Sequence, residues 1–148
     1  MSLRRAPAPR IDKSRESPDI LTRIVAGGGE VTVGDLLRWQ WDGYAQYHRS
    51  RENLLIHIVA VPLFLSGTVG VVVALFQRSS VVAVISAVVM VIAIALQGRG
   101  HKLEAVPPEP FTGPANAVSR IFLEQWVTFP RFVLSGGWVR ALREASGT

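Results

Sequence analysis

The chain contains no cysteine. That excludes disulfide scaffolds, thiolate metal sites and cysteine nucleophiles, and with them the usual clue to redox compartment. Charge is missing from the middle, where Arg78 is the single formal charge between residues 54 and 98. The other Lys and Arg lie in the flanks, nine in 1–53 and six in 99–148. Internal repeats and nucleic-acid recognition motifs are also absent. Gly27-Gly28-Gly29 has no preceding strand and no following Lys-Ser/Thr, so it reads as a linker and not a phosphate loop. The net charge of +5 therefore reads as a side facing anionic lipid, with no nucleic-acid partner.

What is present is an apolar centre in a 148-residue chain that is 49% hydrophobic, the composition of a small membrane protein. Residues 1–31 read as a flexible tail; they hold Pro7, Pro9 and Pro18 and lack the apolar core of a secretory signal. Residues 32–148 form the membrane domain. An interfacial helix is expected over 32–48, opened by Thr32 and Asp35 as a capping box, with Trp39, Trp41, Tyr44 and Tyr47 at headgroup level. The first span is 54–76, whose 23 residues reach ~34 Å at ~1.5 Å each, with Pro62 expected to kink it. A polar turn at 77–80 leads to a second span at 81–97, and so short a link makes the pair an antiparallel hairpin. Positive flanks put both termini in the cytoplasm, at a bacterial inner membrane or, in a eukaryote, the endoplasmic reticulum. A motif loop follows at 98–113, then interfacial helices over 114–142, interrupted at Pro130. The fold class is all-α: a two-span membrane hairpin with amphipathic helices packed at its cytoplasmic face.

The three histidines are the informative residues. His57 lies in the first turn of the first span, His101 just past the second, and His48 at the end of the interfacial helix. A hairpin brings all three to one membrane face. On one straight helix His48 and His57 would be about 900° apart in rotation and so point oppositely. They converge only if the chain folds back within 49–53, where Asn53 is a suitable N-cap for a helix starting at Leu54. Imidazoles beside a carboxylate suit a metal that does chemistry, and His101 and Glu104 share a face if their turn is helical. Gln97 and Tyr44, each one turn from a histidine, are placed to orient ligands. Imidazole ligation alone accommodates iron and zinc alike, and predicts metal loss in acid as the rings protonate.

The pattern Tyr44-x3-His48-x4-Asn53-x3-His57-x4-Pro62, then Gln97-x2-Gly100-His101-x2-Glu104 and a proline cluster, resembles the 2-hydroxy-palmitic acid dioxygenase family. The resemblance covers about residues 36–135. It implies an iron(II)-dependent oxygenase that shortens 2-hydroxy fatty acids by one carbon, consuming dioxygen and releasing carbon dioxide without 2-oxoglutarate. By that resemblance His48, His57 and His101 are the iron ligands, and Asn53 and Glu104 support or complete the sphere. A long-chain 2-hydroxy acid would keep its tail among the membrane lipids and its head at the depth of the histidines, where Arg51, Arg99 or Lys102 would pair with the carboxylate. Two other classes compete: a non-catalytic hairpin that shapes membrane or recruits a partner, and a haem- or metal-binding membrane protein without turnover.

Overall fold

The runs of Val, Ile, Leu and Ala at 54–76 and 81–97 are longer than ordinary strands, and a helix satisfies their backbone N–H and C=O groups within each run. A computed structural model describes residues 32–147. The expected tail at 1–31, with its glycine linker, lies outside the described residues. Among the described residues there are helices and no strand.

Helix α1 spans Val33–Tyr44 and begins with the reciprocal Thr32–Asp35 capping box. A 3-10 turn, Ala45–Tyr47, follows it. Helix α2 runs Arg51–Gln77 and α3 runs Ser80–His101. Each starts three or fewer residues earlier than its apolar run and α3 ends four residues later, because polar first and last turns remain good helix. Pro62 sits inside α2, which continues through it. Arg78 closes α2 in the left-handed region at φ 52°, and the Ser79 hydroxyl caps α3 by accepting from Val82 N–H.

Both α2 and α3 are long and apolar enough to cross a membrane. Their large side chains point outward: Val59, Val72, Leu75 and Phe76 on α2, and Val81, Val84, Val88 and Val91 on α3, are all exposed. A soluble protein rarely leaves so large an apolar surface wet. Between the two helices the packing uses small residues. A Cβ at Gly67 would lie 2.6 Å from Met90 Cγ and 3.0 Å from the Ser86 carbonyl oxygen, and one at Gly70 would collide with the Ser86 hydroxyl. This is how helices associate where lipid gives no hydrophobic drive between them.

After a proline-rich connection come α4, Pro114–Leu123, a π-helical segment, Glu124–Thr128, and α5, Phe129–Leu134. The expected interruption at Pro130 does not occur. Phe129 N–H bonds to Glu124 C=O in the wider i→i+5 register, so the turn just before Pro130 is already opened and its missing donor is absorbed. The break comes at Ser135-Gly136, where Gly136 adopts φ 74° before α6, Gly137–Ala145. The α4–α5 run also packs deeper than a helix lying at the end of a hairpin. Ile121 packs on the Ala60, Phe64 and Ala93 cluster, and Phe122 meets Phe64 edge to face at 5.5 Å. Trp138 of α6 donates its indole N–H to the Leu54 carbonyl at 3.0 Å.

Replacing Gly67 with Val should therefore force the hairpin apart and destabilise the fold by about 1–3 kcal/mol. Gly98→Val is the control, since nothing lies within 4 Å of a Cβ there. Thermal unfolding in detergent micelles should show a clear loss for the first variant and little change for the second.

Candidate metal centre

The centre depends on a sharp fold-back between α1 and α2. His48 leaves the helical region at φ −135°, ψ 64°, and α2 begins three residues later. The expected N-cap, Asn53, is not the cap. Ser50 takes that position, its hydroxyl accepting from Asn53 N–H at 3.4 Å, and Asn53 is already inside the first turn. The Asn53 amide instead donates to Glu104 Oε1 at 2.6 Å and to the Tyr47 carbonyl at 3.2 Å. The Glu104 carboxylate also accepts from Arg49 N–H and Ser50 N–H at 3.0–3.1 Å. Those donors are left over where the chain turns into a new helix, and a carboxylate at a helix N-terminus satisfies them.

The turn brings the three imidazoles together. Ring centroids are 4.7 Å apart for His48 and His57, 5.1 Å for His48 and His101, and 4.9 Å for His57 and His101. His48 Nδ1 faces the Tyr44 carbonyl at 2.9 Å, and His57 Nδ1 faces the Asn53 carbonyl at 3.0 Å. A carbonyl oxygen only accepts, so both Nδ1 atoms carry the hydrogen and both Nε2 atoms present a lone pair. These two Nε2 atoms are buried and have no hydrogen-bond partner.

They converge on a carboxylate, and that carboxylate is Glu124. Its Oε1 lies 3.7 Å from His48 Nε2, 3.7 Å from His57 Nε2 and 4.0 Å from His101 Nε2. One donor atom from each of the four residues falls within 4.8 Å of all the others. Tetrahedral ligands at ~2.1 Å from a shared ion stand about 3.4 Å from one another, so small side-chain rotations would close this set on a cation. Three neutral imidazoles and one carboxylate suit a divalent metal. Tyr44 orients the carboxylate, its hydroxyl lying 3.2 Å from Glu124 Oε1 and its ring stacked on His48 at 4.0 Å. The set is not sealed on every side. His48 and His57 side chains are 2% and 0% exposed, whereas His101 and Glu124 each keep 18%, so the open side is theirs.

Glu104 thus lies outside the cluster. The helix ends at His101, so Glu104 sits beyond it in a turn and faces the start of α2 instead of sharing a helical face with His101. Gln97 makes a reciprocal amide pair with Gln125, at 3.1 and 2.7 Å, tying α3 to the π segment that carries Glu124. Arg51, Arg99 and Lys102 are exposed. Glu124 escaped the sequence reading because it looked like the wet face of an interfacial helix. The signal that could have found it is the apolar stripe Val118, Phe122 and Trp126 at i, i+4, i+8, all exposed here, which turns Glu124, Gln125 and Thr128 inward.

Burial controls the protonation of the centre. It holds His48 well below the ordinary histidine value, and the neighbouring His57 and His101 add to the effect. Burial pushes Glu124 up to about 7, against the opposing pull of the Tyr44 hydroxyl and Arg120. Tyr44 is raised well above its usual value, first by burial and then by Glu124, and stays a neutral donor. The group that a metal must deprotonate near neutrality is therefore the carboxylate. No protein-family model, curated protein or solved structure matches this chain.

Two outcomes are expected. Anaerobically prepared protein should hold about one divalent metal per chain, and His57→Ala or Glu124→Ala should reduce affinity at least tenfold by elemental analysis after dialysis. Metal affinity should rise about tenfold per pH unit below about 7, where binding releases a proton from Glu124, and flatten above it. Glu124→Gln should remove that slope in a titration between pH 6 and 8.

Proposed function

We propose that this chain is an iron(II)-dependent membrane dioxygenase that shortens 2-hydroxy fatty acids by one carbon. The observation that carries the reading is the convergence of three histidine nitrogens and the Glu124 carboxylate on one open-sided point at the end of an apolar hairpin. The pattern shared with the 2-hydroxy-palmitic acid dioxygenase family supplies the reaction class. In net form, R–CH(OH)–COOH and dioxygen give R–COOH, carbon dioxide and water. Dioxygen accepts all four electrons, and no 2-oxo acid is consumed.

Ferrous iron, when bound, supplies the electrons and open coordination positions that dioxygen chemistry needs. The protein's own residues prepare the place. The Tyr44 and Asn53 carbonyls fix the tautomers and ring planes of His48 and His57. Tyr44 holds Glu124, and burial of His48 and His57 keeps water from that side. The partial exposure of His101 and Glu124 leaves the approach for a substrate head, while the exposed valines of α2 and α3 match the solvent preference of its alkyl tail. The basic flanks support an orientation with both termini in the cytoplasm, consistent with a bacterial inner membrane. A haem reading fits less well. A porphyrin needs a slot between facing imidazoles, and here four side chains crowd one point.

The test is turnover by iron-loaded protein in lipid nanodiscs supplied with 2-hydroxyhexadecanoate and oxygen. One oxygen consumed per carbon dioxide and per pentadecanoate formed is expected, with His48→Ala reduced at least a hundredfold. Folded, iron-loaded protein that leaves the acid intact overturns the reading.

A further inference from the structure

Among the described residues Arg120 is the buried cation, and no direct ion pair explains it. It is 8% exposed, and among the described residues no carboxylate makes an ion pair with it. Its two terminal nitrogens donate to the Pro110 and Glu109 carbonyls, at 3.1 and 2.9 Å. Its guanidinium carbon sits 4.7 Å from the ring centroids of both Trp39 and Phe111. Its Nε, a further donor of the same group, is buried with no partner. Leaving a buried charged donor unmade is costly, and a guanidinium with unused donors suits a carboxylate.

Its position relates it to the metal centre. Arg120 stands four residues before Glu124 on one continuous helical run, hence on the same face, one turn away. Glu124 and His101 form the open side of the cluster, and the Glu109–Phe111 segment that holds Arg120 follows directly from the His101 turn. Glu124 interacts with the Arg120 charge through space. The Arg120 charge also reaches His101, the other member of the open side.

The geometry points to Arg120 as the residue that recognises the carboxylate of a long-chain 2-hydroxy acid, with Trp39 and Phe111 fixing the guanidinium plane. This rests on the dioxygenase reading for the identity of the substrate, and replaces Arg51, Arg99 and Lys102 in that role. Those three are exposed, whereas Arg120 is held in one orientation by two carbonyls before the ligand arrives.

The test uses full-length, iron-loaded protein in nanodiscs without oxygen, so that binding is read without turnover. The probes are 2-hydroxyhexadecanoate, its methyl ester and hexadecane-1,2-diol, titrated by calorimetry and by tryptophan fluorescence. Wild type should bind the acid at least tenfold more tightly than either neutral probe. Arg120→Gln should erase that preference, and Arg120→Lys should keep part of it, each titrated at the same iron content as wild type. Equal affinity of wild type for all three probes overturns the proposal, as does an unchanged acid preference in Arg120→Gln. Should Arg120→Gln not fold, the wild-type and Arg120→Lys titrations decide, a preference equal in the two counting against the proposal. The two readings fail separately: absent turnover with an Arg120-dependent acid preference sinks only the reaction. Normal turnover with no such preference sinks only the role of Arg120.

Discussion

The Glu104 carboxylate holds the fold-back, and the centre depends on it. It ties the Arg49 and Ser50 amides and the Asn53 side chain into one cluster, linking the start of α2 to the turn after α3. The Ser50 cap and the packing of Tyr44 beside Leu54 support the same reversal, which turns His48 toward His57. The same tie fixes a close approach: a Cβ at Gly100 would collide with the Asn53 side chain, so only glycine lets α3 pass there. Asn53 then serves the centre twice, its side chain bound to Glu104 and its carbonyl receiving His57 Nδ1.

Energetics argue that such a centre is built for a cation. An unmade hydrogen bond at a buried polar atom costs about 1–3 kcal/mol, and the stability of a small domain is only about 5–15 kcal/mol. His48 and His57 each bury an Nε2 that has no hydrogen-bond partner, while Glu124 is partly buried beside them and pushed toward neutrality. A divalent ion would satisfy these atoms together. It would also reverse the penalty on the Glu124 charge, so that occupancy stabilises the fold.

Much of this was legible from the chain. The two apolar runs, the short polar link and the fold-back could be read because hydrophobic patterning and helix rotation are local properties. The meeting of His57 and His101 followed from hairpin geometry, and that of His48 from the fold-back within 49–53. Other features depend on tertiary choices that spacing does not encode. Ser50 and Asn53 are both able caps; the helix starts at Arg51, so Ser50 holds the cap position and Asn53 falls inside the first turn, its amide donating to Glu104 and Tyr47. Pro130 does not end its helix because a π turn precedes it, and local propensity gives no notice of that register. Glu124 and Arg120 were hidden by a helix that is apolar outside and polar inside, the reverse of a soluble amphipathic helix.

The most direct test of the whole account is X-ray absorption at the iron edge of anaerobically loaded protein, wild type beside Glu124→Ala. The account predicts a nitrogen/oxygen ligand sphere with the multiple scattering of three imidazoles, and a carboxylate contribution that disappears in the variant. Iron that shows no imidazole scattering, or a spectrum identical in the two proteins, would contradict it.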